Sequence, residues 1–334
     1  MFSSYQKEAA FALQAVGEAA RLCQKIQQEM VLKALSKEDR SPVTVADFAS
    51  QAVIAHMLQE QFPDEPLVGE EASHSLQLPE QADKRKAVEK YVRQVFPQAS
   101  GGDVLAWIDT GAGEPADRFW TLDPIDGTKG FLRGQQYAVA LALIEKGEVV
   151  VGALGMPNLN TKMEEDPDGD GSLVIAVRGE GSWVVEAGGS DFARMQVTSR
   201  VDPATVRVLR SYESGHTNVS QIDIFIEKMG ITHEPVRMDS QAKFAVLAAG
   251  RGELILRLIS PSRPDYHEKI WDQAAGSIVI EEAGGKVTDL TGRKLDFTRG
   301  SELLGNTGVL VSNSALHEAA LAALKAVGAD QRPS

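Results

Sequence analysis

Residues 120–134 read WTLDPIDGTKGFLRG, and this stretch decides how the rest of the chain is read. Asp123 and Asp126 stand three apart around Pro124. The fixed φ of proline favours a turn, so both carboxylates, with the Ile125 carbonyl between them, can face one point. Oxygen ligands of this kind suit Mg²⁺, which keeps several waters and binds beside substrate phosphate rather than inside a closed protein cage. Gly127 and Thr128 follow at once, and a helix starting there would turn backbone N–H groups toward an anion. Taken by itself, DPIDG also reads as an ordinary surface turn, because Asp, Pro and Gly are common turn formers.

Four further segments place acids in matching contexts: SPVTVADFASQ with Asp47, LVGEEAS with Glu70 and Glu71, IDTG with Asp109, and IWDQAAGSIVIEEAGG with Asp272. On these runs the chain resembles the lithium-sensitive, magnesium-dependent phosphomonoesterases of the inositol monophosphatase superfamily. The signatures of that superfamily are a G-E-E run, a D-P-[IL]-D-G-T run and a late W-D-x-A-[AG] run, present here at residues 69–71, 123–128 and 271–275. The extension KGFLRGQQYAVALAL and the run SPVTVAD look like the 3′(2′),5′-bisphosphate nucleotidase branch. An inositol monophosphatase usually reads T-x-N-F after the shared D-G-T, where this chain has Lys129 and Gly130.

The resemblance implies a layered α/β/α/β/α sandwich of the inositol monophosphatase and fructose-1,6-bisphosphatase type, combining α+β and α/β halves. It implies that Glu70, Asp123, the Ile125 carbonyl, Asp126 and Asp272 hold two or three Mg²⁺ ions. Asp47 and Thr128 correspond to a water-activating pair, and Glu71 acts at most through a water. Gly127, Thr128, His216, Ser240, Lys243, Arg257 and Asp272 correspond to substrate contacts. The implied reaction removes the 3′-phosphate of adenosine 3′,5′-bisphosphate, giving AMP and phosphate, with the sulfated precursor as a second substrate. An inositol mono- or polyphosphate phosphatase on the same metal core is the alternative enzyme, and a catalytically silent nucleotide or metal sensor is the alternative of another class.

Physical chemistry bears on several of these residues independently. Acids packed this closely repel one another and rise in pKa, and bound cations keep them ionised. Arg257 falls mid-strand between Leu256 and Leu258, an odd place for a guanidinium unless its face lines a cleft. Its fork suits phosphate. His216 reads equally as a plain loop histidine, and Lys129 and Arg133 read as cations at the rim of the site or as solvated surface groups.

Composition is compatible. The chain has 334 residues, 43% hydrophobic and 24% charged, with a formal charge of −13. That is enough to bury a large core, and the acidity speaks against a nucleic-acid polymer or an acidic membrane surface as partner. A small anionic nucleotide bisphosphate can enter if local cations reverse the field. Cys23 is the single cysteine, so an intrachain disulfide is excluded, and a reducing, cytoplasmic setting is expected. No window of 18 uninterrupted apolar residues marks a membrane span; the N-terminal segment reads as a mature helix, and the expected form is a monomer.

Along the chain, apolar spacing predicts a long first helix, a second over residues 46–61 with Asp47 in its first turn, and a short strand delivering Glu70. The segment 79–97 reads as a charged helix, Gly101 and Gly102 as a loop, and WIDTG as a strand. Two antiparallel hairpins follow, separated by EEDPDGDG, which copies half a calcium loop but has Val177 at the twelfth position and reads as a solvated acidic turn. Beyond about Met195 short strands and helices alternate. The expected division is an N-terminal domain over residues 1–195 with most metal ligands and a C-terminal domain over 196–334 with the nucleotide-binding residues and Asp272.

Overall fold

The computed structural model describes residues 2–31, 41–212 and 218–333; His216 lies outside them. In chain order come α1 (Gln6–Ile26), α2 (Ser41–Gln61), β1 (Leu67–Gly69), α3 (Ala82–Val95), α4 (Gly101–Asp109), β2 (Arg118–Asp126) and α5 (Thr128–Leu132). Then follow β3 (Ala138–Glu145), β4 (Glu148–Met156), β5 (Ser172–Val177), β6 (Gly181–Glu186), β7 (Ala193–Arg194), β8 (Val208–Arg210), α6 (Val219–Met229) and β9 (Val236–Arg237). The chain closes with α7 (Ala242–Ala248), β10 (Leu254–Arg257), α8 (Ala274–Glu282), β11 (Lys286–Thr288), β12 (Val309–Ser312) and α9 (His317–Ala326).

Strands β1 to β7 form one sheet in sequential order, and β1, parallel to β2, is its one parallel pairing. β3 and β4 are buried along almost their whole length, as strands covered on both faces must be. α1 and α2 pack on one face, and α8, which comes from the far end of the sequence, packs on the other. The second sheet runs β11-β12-β10-β8-β9. β8 lies parallel to β10 and β9, while β12 is antiparallel to β10 and β11. α7 and α8 fill the layer between the sheets, and α6 and α9 cover the outer face of the second. The result is the expected α/β/α/β/α sandwich, with three apolar cores: one under α1 and α2, one around α7 and α8 between the sheets, and one under α6 and α9. No described helix is long and apolar enough to cross a membrane.

Three local expectations are corrected. Gly101 and Gly102 do not form a loop and WIDTG is not a strand: the glycines, Trp107, Ile108 and Asp109 belong to α4, because Ser100 and Asp103 form a reciprocal capping box that starts a helix there, and Thr110 caps its end. α2 begins five residues earlier than Ala46, so Asp47 sits beyond its first turn and caps nothing. Pro124 lies inside β2, where the pairing with β3 shifts register between Asp123 and Asp126; the anticipated turn is a bulge in an ordered strand. The acidic segment 164–171 is a largely exposed turn, as read.

Candidate active site

One face of α2 organises the first half of the site. Asp47, Ser50 and Gln51, spaced as neighbours on a helix surface, are all buried. Ser50 Oγ donates to the Pro124 carbonyl at 3.1 Å. Gln51 Nε2 donates to the carbonyls of Glu71 (2.6 Å) and Ile108 (2.8 Å), while its Oε1 accepts from the Glu71 N–H. α2 thus pins both acidic runs.

The parallel register does the rest. Gly69 pairs with Leu122, so the next residues, Glu70 and Asp123, emerge side by side, where burial and then the charge of Glu70 raise the pKa of Asp123. Asp123 Oδ1 accepts from the Ile125 N–H at 3.1 Å, holding the bulge that brings Asp126 round. Gly127 has φ of +94°, a conformation that favours glycine, and a Cβ there would lie 2.8 Å from that of Ser240. Gly130 allows the carbonyl of Gln136 within 2.1 Å of where its Cβ would be. α5 does begin at Thr128, but with five residues it carries little dipole, so the anion seat expected there rests on individual N–H groups.

The second half closes over this loop. Ser240, at φ +68°, precedes Gln241, whose N–H donates to Asp126 Oδ2 at 2.7 Å. Lys243, buried on α7, donates from Nζ to the Ser240 carbonyl (2.9 Å) and Ser211 Oγ (3.2 Å). Arg257, at the end of β10, does not stand free as a phosphate fork. Its Nη2 lies 2.7 Å from Glu268 Oε2 and 3.7 Å from Asp272 Oδ2, and its buried Nε has no hydrogen-bond partner.

A cavity of about 920 Å³ opens between the halves. Glu70, Asp123, Ile125, Asp126, Gly127, Thr128, Ser240, Lys243, Arg257 and Asp272 all line it. Asp47 does not; it sits buried behind the wall, close enough to Glu70 and Glu71 to feel their charge, and it shares no hydrogen bond with Thr128. Asp109 is turned elsewhere, accepting from the N–H and Oγ of Ser73. Sequence reasoning missed Gln51, Gln241, Glu268 and Tyr266. Buried amides beside an acidic motif, in ADFASQ and DSQ, were the available signal for the first two; nothing local marks Glu268 and Tyr266.

Comparison with known proteins gives the family. The inositol monophosphatase family matches residues 4–329. The chain belongs to that family. A 3′(2′),5′-bisphosphate nucleotidase of Schizosaccharomyces pombe is 38% identical, with 97% of this chain and 96% of that one covered. One from Arabidopsis thaliana is 40% identical over 98% of both. Among solved structures, an inositol monophosphatase from Zymomonas mobilis superposes with a TM-score of 0.65 at 18% identity, covering 97% of this chain and 100% of that one. CysQ from Bacteroides thetaiotaomicron, a bacterial member of the family, gives 0.64 at 20%, covering 93% and 98%. At such identities these two establish the fold.

Members of the inositol monophosphatase family are generally metal-dependent phosphatases, and the electrostatics of this cavity fit a cation. Burial, then the charges of Glu70, Asp126 and Asp272, pushes Asp123 well above the usual carboxylate range. Burial raises Asp272 as well, against the pull of Arg257, and raises Glu70, to which Asp126 adds. Asp126 is also raised by burial, partly offset by Lys243, Arg257 and hydrogen bonds from Gln241. Burial lowers Lys243 to about 8, whereas Glu268 and Asp272 outweigh burial at Arg257 and hold it protonated. The neighbouring cations, Lys269 toward Glu70 and Lys243 and Arg257 toward Asp126, therefore leave all four carboxyls raised. Among the described residues no three acids converge on one point; Asp126 is held by Gln241 and Asp272 lies beside Arg257. The donor set is hard oxygen with an adjoining carbonyl, which suits Mg²⁺ retaining several of its waters.

Proposed function

We propose that this chain is a Mg²⁺-dependent phosphomonoesterase that hydrolyses the 3′-phosphate of adenosine 3′,5′-bisphosphate, and that it accepts the 3′-phosphorylated adenylyl sulfate as well. The observation that carries the reading is the two-sided cavity. Glu70, Asp123 and Asp126 line it from the first half and Asp272 from the second, with Lys243 and Arg257 beside them in the same 920 Å³ space. Relatives 37–40% identical over nearly their whole length bear the bisphosphate nucleotidase name, which favours a substrate with a second anionic group over an inositol monophosphate.

In this reading Glu70, Asp123, the Ile125 carbonyl, Asp126 and Asp272 hold two or three Mg²⁺ ions. Bound there, the ions supply neutralisation of the phosphoryl oxygens and a water nucleophile at neutral pH. Thr128 Oγ1, exposed on the cavity wall, orients the attacking water opposite the leaving 3′-oxygen. Asp47, buried behind the cavity wall near Glu71 and Glu70, acts in this reading on the Thr128 side of the site, as the partner that orients the hydroxyl when substrate is bound. Lys243, with Ser240 beside it, holds the 5′-phosphate, and Arg257 presents its remaining N–H groups to the same anion while Glu268 fixes its plane. The Gly127 and Thr128 N–H groups hold the scissile phosphate, and His216 contacts the nucleotide.

Rates on adenosine 3′,5′-bisphosphate and inositol 1-phosphate, measured side by side with Mg²⁺, test the proposal. The bisphosphate should be preferred by about a hundredfold in kcat/KM, the worth of one or two charge-assisted contacts. Equal rates would point to the inositol phosphatase alternative.

A further inference from the structure

α8 starts without help from its own N-cap: Gln273 makes no side-chain capping bond. A helix N-terminus leaves its first N–H groups without intrahelical partners, and here the Gly276 N–H donates to Gln241 Oε1 at 2.9 Å. The same amide donates from Nε2 to the Trp271 carbonyl at 2.9 Å, one residue before Asp272. The backbone N–H of Gln241 in turn donates to Asp126 Oδ2 at 2.7 Å. Gln241 is almost wholly buried.

Gln241 therefore joins two regions far apart in sequence: its backbone N–H holds the acidic loop ending β2, and its side chain spans the peptide before Asp272 and the first turn of α8. We infer that Gln241 is a positioning residue that sets the separation of Asp126 and Asp272, and so sets divalent-cation affinity, without touching substrate. This rests on the metal-dependent reading of the cavity. Its amide is needed at both ends, since Oε1 must accept from Gly276 while Nε2 must donate to Trp271. A glutamate keeps the first contact, loses the second and places a negative charge beside Asp126. A methionine of similar volume loses both.

The test compares wild type with Gln241→Glu and Gln241→Met. Binding of Mn²⁺ alone is followed by the loss of its free-ion electron paramagnetic resonance signal, and KM for adenosine 3′,5′-bisphosphate is measured at saturating Mg²⁺. Both variants should weaken Mn²⁺ binding at least fivefold and raise the Mg²⁺ concentration for half-maximal activity in parallel, with KM changed less than twofold. Unaltered Mn²⁺ affinity in a folded variant, whatever its thermal midpoint, would reduce Gln241 to a packing residue and overturn the inference. A raised KM with unaltered Mn²⁺ affinity would overturn it too, by making Gln241 a substrate contact. If Gln241→Met does not fold, Gln241→Glu decides alone. Wild type that neither binds Mn²⁺ nor responds to Mg²⁺ would instead remove the metal-dependent reading itself.

Discussion

Asp126 is the acid whose surroundings are most fully specified, held by Gln241 and facing Lys243 and Arg257. Asp126→Asn keeps the acceptor for the Gln241 N–H and removes one of the crowded charges. Activity should fall by about a hundredfold or more, the loss expected for a direct ligand. In excess chelator the thermal midpoint should hold or rise, because repulsion is relieved. A variant keeping more than about a tenth of the wild-type rate would remove Asp126 from the ligand set. For the remote phosphate, Lys243 is a cleaner probe than Arg257. Removing Arg257 leaves Glu268, 4% exposed, as an unpaired buried charge at a cost of about 3–5 kcal/mol, so lost activity would mix binding with folding. Lys243→Met should raise KM for the bisphosphate by about ten- to a hundredfold and alter KM for a simple monophosphate ester by less than twofold. Equal effects on both substrates would place Lys243 outside the 5′-phosphate pocket. Residue types were legible from sequence at both positions, yet the carboxylates that engage Arg257 were not, because Glu268 and Asp272 reach it through folding of a loop rather than through helical or strand spacing.

Among the elements, α9 carries the clearest pH dependence away from the cavity. His317, its first residue, is fully buried, with Nδ1 2.8 Å from Ser312 Oγ and Nε2 2.9 Å from Thr288 Oγ1. Thr288 Oγ1 spends its own proton on the Asp289 carbonyl. Nε2 must then donate to Thr288, leaving Nδ1 to accept from Ser312, a neutral imidazole with no place for a second proton. Burial, with Lys286 nearby, lowers its pKa to about 4. Above pH ~6.5 the ring is neutral both folded and unfolded. As pH falls from there toward 4 the unfolded chain takes up a proton that the folded chain refuses, and stability drops by up to about 3 kcal/mol. Urea unfolding of wild type and His317→Gln should show the wild-type advantage shrinking over that interval; a gap independent of pH would mean the imidazole does not stay neutral. Apolar runs bounded by turn residues were readable, as β3 to β6 and α7 to α9 show. α4 was not, because a Gly-Gly pair outweighed a capping box, Ser100 with Asp103, that was present in the sequence.

For the molecule as a whole, cation binding across the two halves should appear as stability. Mg²⁺ at about a hundred times its dissociation constant raises the unfolding free energy by about 2.7 kcal/mol, measurable as a shift in thermal midpoint that chelator reverses. Activity should require Mg²⁺ and be inhibited by Li⁺ and by Ca²⁺, whose larger and laxer coordination misplaces the water; full turnover in excess chelator would refute this. By itself the sequence determined which acids were available, the strand and helix alternation, and a layered α/β class, because motif chemistry and hydrophobic periodicity are local properties of a chain. Only the tertiary structure decided which acids share the cavity. It set Glu70 beside Asp123 through a parallel register, sent Asp109 to Ser73, kept Asp47 behind the wall, and joined Asp126 to the Asp272 segment through Gln241. Those choices depend on strand register and interlayer packing between segments tens to more than a hundred residues apart, and no local pattern in the chain encodes such pairings.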